Sequence, residues 1–472
     1  MRIRNFIAAL AVLIFSGNTM AQVDSLEVVV DSVAIGSVEF VATDNMITNT
    51  SALKLFFEKL YLLENEKSGK VNIVHIGDSH IQADLMTNVI RKDLQERFGN
   101  AGCGFAFPHS LAKTNGGHYI RYSSNTSWQS LRNISVPNGL PVGLSGIALT
   151  TRNNFAVEIN VRDSAYAFNT MKIITPGNAK CFDVATSSKT IVLESKVPKK
   201  ITHRIKSGEV LGSIANKYDV TITEIKKLNG LKSNNIRAGR TLKIPTGEMQ
   251  AKQIKRSEFI PLPLNTEAFS NTFYSEEPLS KIYLLPNEES NIFSLNGLVF
   301  EKDGPGLLYH SIGVNGAKCS DYNKYPMFFD QMPALKPDMI VISLGTNESF
   351  DKMGAEQYME QLNIFIGNVR SANPDVCVLV MTPPPSQFKR KYPNTFAGDY
   401  AKNIQMQEIA SDYASWDLFS VMGGLFSVNR NAANGIVGGD KVHYTKAGYE
   451  KQGGLFSEAL FKAYDNFKTN RN

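Results

Sequence analysis

Val71-Asn72-Ile73-Val74-His75-Ile76-Gly77-Asp78-Ser79-His80 decides how this chain folds. The stretch Val71 to Ile76 is a short, mainly apolar run of the length of a buried strand, and Gly77 breaks it. Asp and Ser are favoured helix caps, and a helical pattern covers Asp84 to Phe98. A strand passing through a tight turn into a helix puts the Ser79 hydroxyl at the carboxyl edge of a parallel sheet, where open α/β sheets take their ligands. On this stretch alone Ser79 has two readings, a cap or a nucleophile.

Three later blocks bear on that choice. Asp338 to Leu344 reads as a strand and runs into Gly345-Thr346-Asn347-Glu348; before it lies Gly313-Val314-Asn315-Gly316, and near the C-terminus comes Gly438-Gly439-Asp440-Lys441-Val442-His443. A serine hydroxyl needs a base within hydrogen-bond reach and a third group to hold that base. Asp440 and His443, three residues apart, let one loop supply both. Attack on an ester makes an alkoxide, which needs donors aimed at it. A glycine suits a donor whose backbone must come close, and the block offers two, Gly313 and Gly316, with Gly313 the lesser candidate. Asn347 offers a side-chain amide, or else is a turn residue after a strand. His80, next to Ser79, is a rival base, although adjacent side chains usually point apart.

Taken together, the blocks resemble those of the SGNH (GDSL-type) hydrolases: Ser79 in block I, Gly316 in block II, Asn347 in block III, Asp440 and His443 in block V. The resemblance implies a doubly wound α/β sandwich with a parallel, flavodoxin-like sheet. It also implies a Ser79–His443–Asp440 site, with the Ser79 N–H, the Gly316 N–H and the Asn347 amide as the oxyanion hole. Two positions depart from the family: His80 replaces the usual Leu, and Glu348 replaces the usual Asp. The Gly-Asp-Ser-His form is closer to the peptidoglycan O-acetylesterase branch than to the lipases.

Between blocks I and II the pattern changes. Phe155, Val157, Ile159 and Val161 recur at every second position, the period of a half-buried strand. Similar short runs occur at Lys172 to Ile174, Thr190 to Leu193 and Ile282 to Leu285. We read an inserted β-sandwich, either a carbohydrate-binding jelly roll or a wall of the cleft. Nested within it, Leu211, Ile214, Ala215 and Tyr218 share one helical face, Ile222, Ile225 and Leu228 fit a second helix ended by Asn229-Gly230, and Leu242 and Ile244 alternate. Residues 203–245 closely resemble a LysM module, a β-α-α-β fold that binds N-acetylglucosamine-containing glycans. The resemblance puts the sugar groove at Gly208, Glu209, Val210 and Leu211 and at Asn229, Gly230 and Leu231. The alternative is a decayed module acting as a spacer.

Composition limits what else the chain does. With 472 residues, 43% of them hydrophobic, it has material for two to four domains. Its net charge of +6 is matched by residues 201–246 alone, where nine Lys or Arg meet three Asp or Glu. The remainder is near neutral, so a nucleic-acid-binding surface is not indicated, while the basic module suits an anionic wall polymer. Arg2 and Arg4, the apolar stretch Phe6 to Phe15 and the small residues of Thr19-Met20-Ala21 read as a secretory leader cut after Ala21. That run is too short to span a membrane. Export, to the periplasm of a double-membrane cell or else to the cell surface or the medium, permits disulfides among Cys103, Cys181, Cys319 and Cys377, with Cys103–Cys319 the candidate pair and Cys377 a buried thiol. No metal-ligand cluster or phosphate-cradling loop occurs, so no cofactor is expected.

The expected organisation is a leader (1–21), a linker (22–49), a hydrolase core in two parts (50–115 and 303–472), a β-rich insertion in two parts (116–199 and 248–302) and the LysM module (200–247). The expected activity is removal of O-acetyl groups from peptidoglycan. The alternatives are a deacetylase or O-acetyltransferase of another polysaccharide, or a non-catalytic peptidoglycan-binding protein.

Overall fold

The computed structural model describes residues 44–193, 196–251 and 254–471. The leader expected over 1–21 and most of the linker expected over 22–49 lie outside the described residues.

The hydrolase core is built on one six-stranded sheet. Its strands are β1 (Ile47–Thr48), β2 (Lys70–Gly77), β3 (Gly306–Gly313), β4 (Met339–Ser343), β5 (Cys377–Met381) and β6 (Ala414–Trp416). In space they run β1-β6-β5-β4-β2-β3, parallel except for β1, which pairs antiparallel with β6. Chain order reverses at β2, which lies between β3 and β4, and that reversal opens a crevice at the carboxyl ends of the strands. Alternation along each strand shows that both faces are covered. Val71 and Ile73 of β2 pack with Phe56, Leu94 and Tyr464 in one apolar cluster, whereas Val74 and Ile76 pack with Tyr358, Leu362 and Phe365 in another. The first face carries helices α1 (Lys54–Glu66), α3 (Leu85–Phe98) and α7 (Lys446–Thr469). The second carries α5 (Ala355–Ala372) and α6 (Thr395–Gln407). Two short helices start at the crevice, α2 (Ser79–Gln82) after β2 and α4 (Thr346–Phe350) after β4.

The insertion contains two five-stranded antiparallel sheets and a three-stranded one. Four expectations need correction. Residues 47–48, expected in a linker, add the edge strand β1, and Trp416 of β6 donates from Nε1 to Asn45 Oδ1 at 2.9 Å. Gly104–Ala106, expected in the hydrolase core, pairs with Gly297–Glu301 in a sheet of the insertion, because an antiparallel partner across the sequence outweighs local continuity. Thr190 to Leu193 forms no strand. Ile191 and Leu193 are instead buried with Phe259 and Tyr283 in a small apolar cluster. All four cysteines are buried free thiols, so the candidate Cys103–Cys319 pair is not formed.

The LysM segment hangs on an antiparallel ribbon, Lys196–Arg204 against Thr241–Ala251, longer at both ends than the expected 200–247. Its helices, Leu211–Lys217 and Ile222–Asn229, enclose a small core of Ile205, Leu211, Ile214, Ala215, Ile225, Leu242 and Ile244. Thr221 and Glu224 form a reciprocal cap at the start of the second helix, and Gly230 ends it with φ of 63°.

Candidate active site

Ser79 begins α2 at the carboxyl end of β2. Asp78 caps that helix by accepting the His80 N–H on Oδ1 at 2.9 Å. The cap is therefore Asp78 and not Ser79, which leaves the serine hydroxyl free to turn outward. Ser79 Oγ lies 2.9 Å from His443 Nε2, and His443 Nδ1 lies 2.7 Å from Asp440 Oδ2. Asp440 Oδ1 also accepts the N–H groups of Val442 and His443 at 3.0 and 2.9 Å. Burial works to raise the Asp440 pKa, but the His443 ring and these two N–H groups outweigh it and hold the carboxylate below its ordinary value. Both side chains are nearly half exposed, at 46% for His443 and 45% for Asp440, so solvent reaches the base.

The expected oxyanion donors differ in how far the protein already engages them. Among the described residues, the Ser79 and Gly316 N–H groups have no hydrogen-bond partner in the protein. Gly316 has φ of 86°, a left-handed conformation that favours glycine. Gly313 has a different task. A Cβ there would meet Gln82 N at 2.3 Å and Asp78 O at 2.8 Å, so its missing side chain lets β3 press against the nucleophile turn. The Asn347 amide already donates to Ala317 O at 2.9 Å and to Asp78 Oδ2 at 3.2 Å.

His80 does not bond to Ser79. Its ring is buried, Nδ1 meets Tyr449 Oη at 2.9 Å, and it packs 5.3 Å from the His443 ring. Burial, reinforced by the neighbouring His443, pushes its pKa down to about 3, so it stays neutral. The rival base is thereby placed as a wall of the block V loop.

Sequence reading missed the clamps around Gly316. Gln82 is buried and accepts the Asn315 N–H on Oε1 at 2.5 Å. Its Nε2 donates to Thr114 and Asn115, and Arg132 of the β-rich insertion donates to Asn315 O at 3.2 Å. Asp84 turns away from the cleft and binds Arg91 through both oxygens. Glu348, the departure in block III, is fully buried and accepts the Cys319 N–H at 2.8 Å. Burial pushes Glu348 up to about 7. Asp78 is likewise raised to about 7 by burial, with the Glu348 charge adding to it and the His80 N–H opposing. The longer Glu side chain thus reaches the neighbouring loop, a signal present in the sequence only as a departure.

In the LysM segment, the expected groove residues separate. Gly208, Val210 and Gly230 are exposed. Leu211 is only 2% exposed and belongs to the module's core. Asn229 exchanges hydrogen bonds with both backbone groups of Lys243 and donates to Ile225 O, which ties the second helix to the ribbon. Those two side chains are therefore committed inside the module. Leu231 is partly buried against the same core, and Glu209 accepts from His203 Nε2 at 2.8 Å and from the Lys206 N–H. Among the described residues no helix is long and apolar enough to cross a membrane.

With this geometry in hand, comparison with known proteins locates two domains. Residues 299–451 match the GDSL-like Lipase/Acylhydrolase family model, and residues 203–245 match the LysM domain model. The chain is 54% identical over 43 residues to the probable peptidoglycan endopeptidase LytE of Bacillus subtilis (strain 168), which is 9% of this chain and 13% of that protein. It is 27% identical over 119 residues to the N-acetylmuramoyl-L-alanine amidase sle1 of Staphylococcus aureus (strain USA300), 24% of this chain and 34% of that one. The chain thus spans 13% to 34% of the length of these curated relatives. A solved structure described as a peptidoglycan O-acetylesterase aligns with a TM-score of 0.56 at 18% identity, over 90% of this chain and 99% of that one. At that identity the likeness is one of fold, and it extends through the insertion.

Proposed function

We propose that this chain, which carries a GDSL-like acylhydrolase domain and a LysM domain, is a serine esterase that removes O-acetyl groups from peptidoglycan. The observation that supports this reading most is the unbroken hydrogen-bonded series Ser79–His443–Asp440 at the carboxyl edge of the parallel sheet. Ser79 Oγ adds to the acetyl carbonyl while its proton passes to His443 Nε2. The Ser79 and Gly316 N–H groups and the Asn347 amide hold the negative oxygen. Collapse expels the sugar oxygen, which takes the proton from His443 and leaves an acetyl-enzyme. Water then attacks that ester and gives its proton to His443; acetate departs and the proton returns to Ser79. The openness of His443 to solvent favours water over a second glycan as acceptor. The LysM module holds the enzyme on insoluble wall, a role that suits the periplasm of a double-membrane cell ahead of the cell surface or the medium.

The test is acetate release from O-acetylated peptidoglycan by wild type, by Ser79→Ala and by a variant lacking residues 200–247. Release should require Ser79. Without the module it should fall on insoluble wall but hold on a soluble acetyl ester. Wild type that cleaves the soluble ester and leaves peptidoglycan intact would overturn the substrate assignment and spare the chemistry.

A further inference from the structure

Beside the site stands a small cationic hairpin that the acetyl-transfer chemistry does not use. Gln387–Phe388 pairs antiparallel with Tyr392–Pro393, and Lys389, Arg390 and Lys391 form its exposed tip. Lys389 and Arg390 are both left-handed, with φ of 49° and 60°. A tight hairpin of this hand normally takes Asn or Gly at such positions, so the long cationic side chains are held at the cost of some strain.

The root of the hairpin is fixed to both halves of the site. On one side the Gln387 N–H donates to Lys441 O at 2.9 Å, two residues before His443. On the other, the Phe388 ring packs 5.0 Å from Phe350 at the end of α4, the helix that carries Asn347. Asn394, just past the hairpin, donates to Ser349 Oγ of the same helix at 2.7 Å. The tip lies two residues beyond Gln387, about 7 Å along an extended strand. The root is held between the loop of His443 and the helix of Asn347, so the hairpin is fixed to the elements that carry both.

Its charge is uncompensated. Among the described residues none of the three cations has an ion-pair partner, whereas Lys318 on the neighbouring loop is paired with Asp351 at 2.7 Å. Lys391 Nζ lies 5.4 Å from the centre of the exposed Tyr392 ring, so a flat apolar face sits beside the positive charge. Charge and ring together suit a sugar that bears a carboxylate.

We propose that Lys389, Arg390 and Lys391 read a carboxylate on the glycan substrate, so that the enzyme prefers acetyl esters on carboxylate-bearing strands to those on neutral polysaccharides. This rests on the reading above. In peptidoglycan the carboxylate is that of the lactyl group or its peptide. Exposed charges act weakly and are screened by salt, so the contribution lies in capture of the substrate rather than in the chemical step.

The test compares wild type, the triple variant K389Q/R390Q/K391Q and the charge-preserving K389R/R390K/K391R. The substrates are soluble O-acetylated peptidoglycan fragments, a neutral acetylated oligosaccharide and 4-nitrophenyl acetate. The triple Gln variant should raise KM on the peptidoglycan fragments about fivefold, with kcat held. That difference should shrink at about 0.5 M salt. Activity on the two neutral esters should not change, and the charge-preserving variant should behave as wild type. An unchanged KM on the fragments, or an equal rise on the neutral oligosaccharide, overturns the hairpin's role alone. Wild type inactive on the fragments but active on 4-nitrophenyl acetate overturns both this proposal and the substrate it rests on.

Discussion

Replacing Asp440 by Asn changes one atom in the chain Ser79–His443–Asp440 and almost nothing in the packing. Asn keeps an oxygen for the Val442 and His443 N–H groups, so the loop retains both of its caps. What it loses is an acceptor for His443 Nδ1, now bonded to Oδ2 at 2.7 Å. An amide NH2 at that place favours the tautomer with its hydrogen on Nε2, which cannot take the Ser79 proton. It also removes the negative charge facing the imidazolium of the transition state. Two unit charges about 4 Å apart at an effective dielectric near 20 interact by about 4 kcal/mol. Exposure of 46% and 45% for the two side chains reduces that to roughly 2–4 kcal/mol. The expected loss in kcat is therefore about thirtyfold to a thousandfold. Steady-state hydrolysis of 4-nitrophenyl acetate measures it, and a melting curve checks that the fold survives. A loss below about fivefold with an unchanged melting temperature would mean that Asp440 neither orients nor charges the base, and the assigned role would fall.

Two further outcomes follow from the same turn. Gly313→Ala puts a methyl group 2.3 Å from Gln82 N and 2.6 Å from its Cα, so the nucleophile turn must move; we expect about 1–3 kcal/mol lost in a denaturant titration and a larger fall in kcat than in thermal stability would suggest. Glu348 is held up to about 7, so between about pH 4.3 and 7 the unfolded chain has released a proton that the folded chain keeps, and stability falls as pH rises. Glu348→Gln keeps an acceptor for the Cys319 N–H and should flatten the decline in melting temperature from pH 5 to pH 8; an unchanged slope would place the titration elsewhere.

Much of the site was legible because each block is local. A strand ending in Gly-Asp-Ser, and an Asp and a His three residues apart, carry their own turn geometry: Asp78 caps the helix it precedes, and Asp440 caps the loop that presents His443. A short apolar run closed by a glycine likewise marked β2, a second strand reading marked β4, and a helical pattern marked α3. Where the pattern was ambiguous it misled, as at Thr190 to Leu193, since an alternation of apolar residues reports which side chains are buried and not the backbone conformation that buries them.

What residue order alone determined was the kind of chemistry and the residues able to carry it, because side-chain type and short spacing are properties of the chain itself. The clamps and the hairpin's anchorage were decided only by tertiary structure. Gln82 meets Asn315 across 233 residues of sequence, Glu348 reaches the N–H of Cys319 on another loop, and Gly104–Ala106 leaves its neighbours in sequence to join the insertion. The same holds for the Lys389–Lys391 hairpin, whose place depends on Lys441 and Phe350. Such contacts depend on which surfaces the packed core brings together, and no local period in the sequence records them.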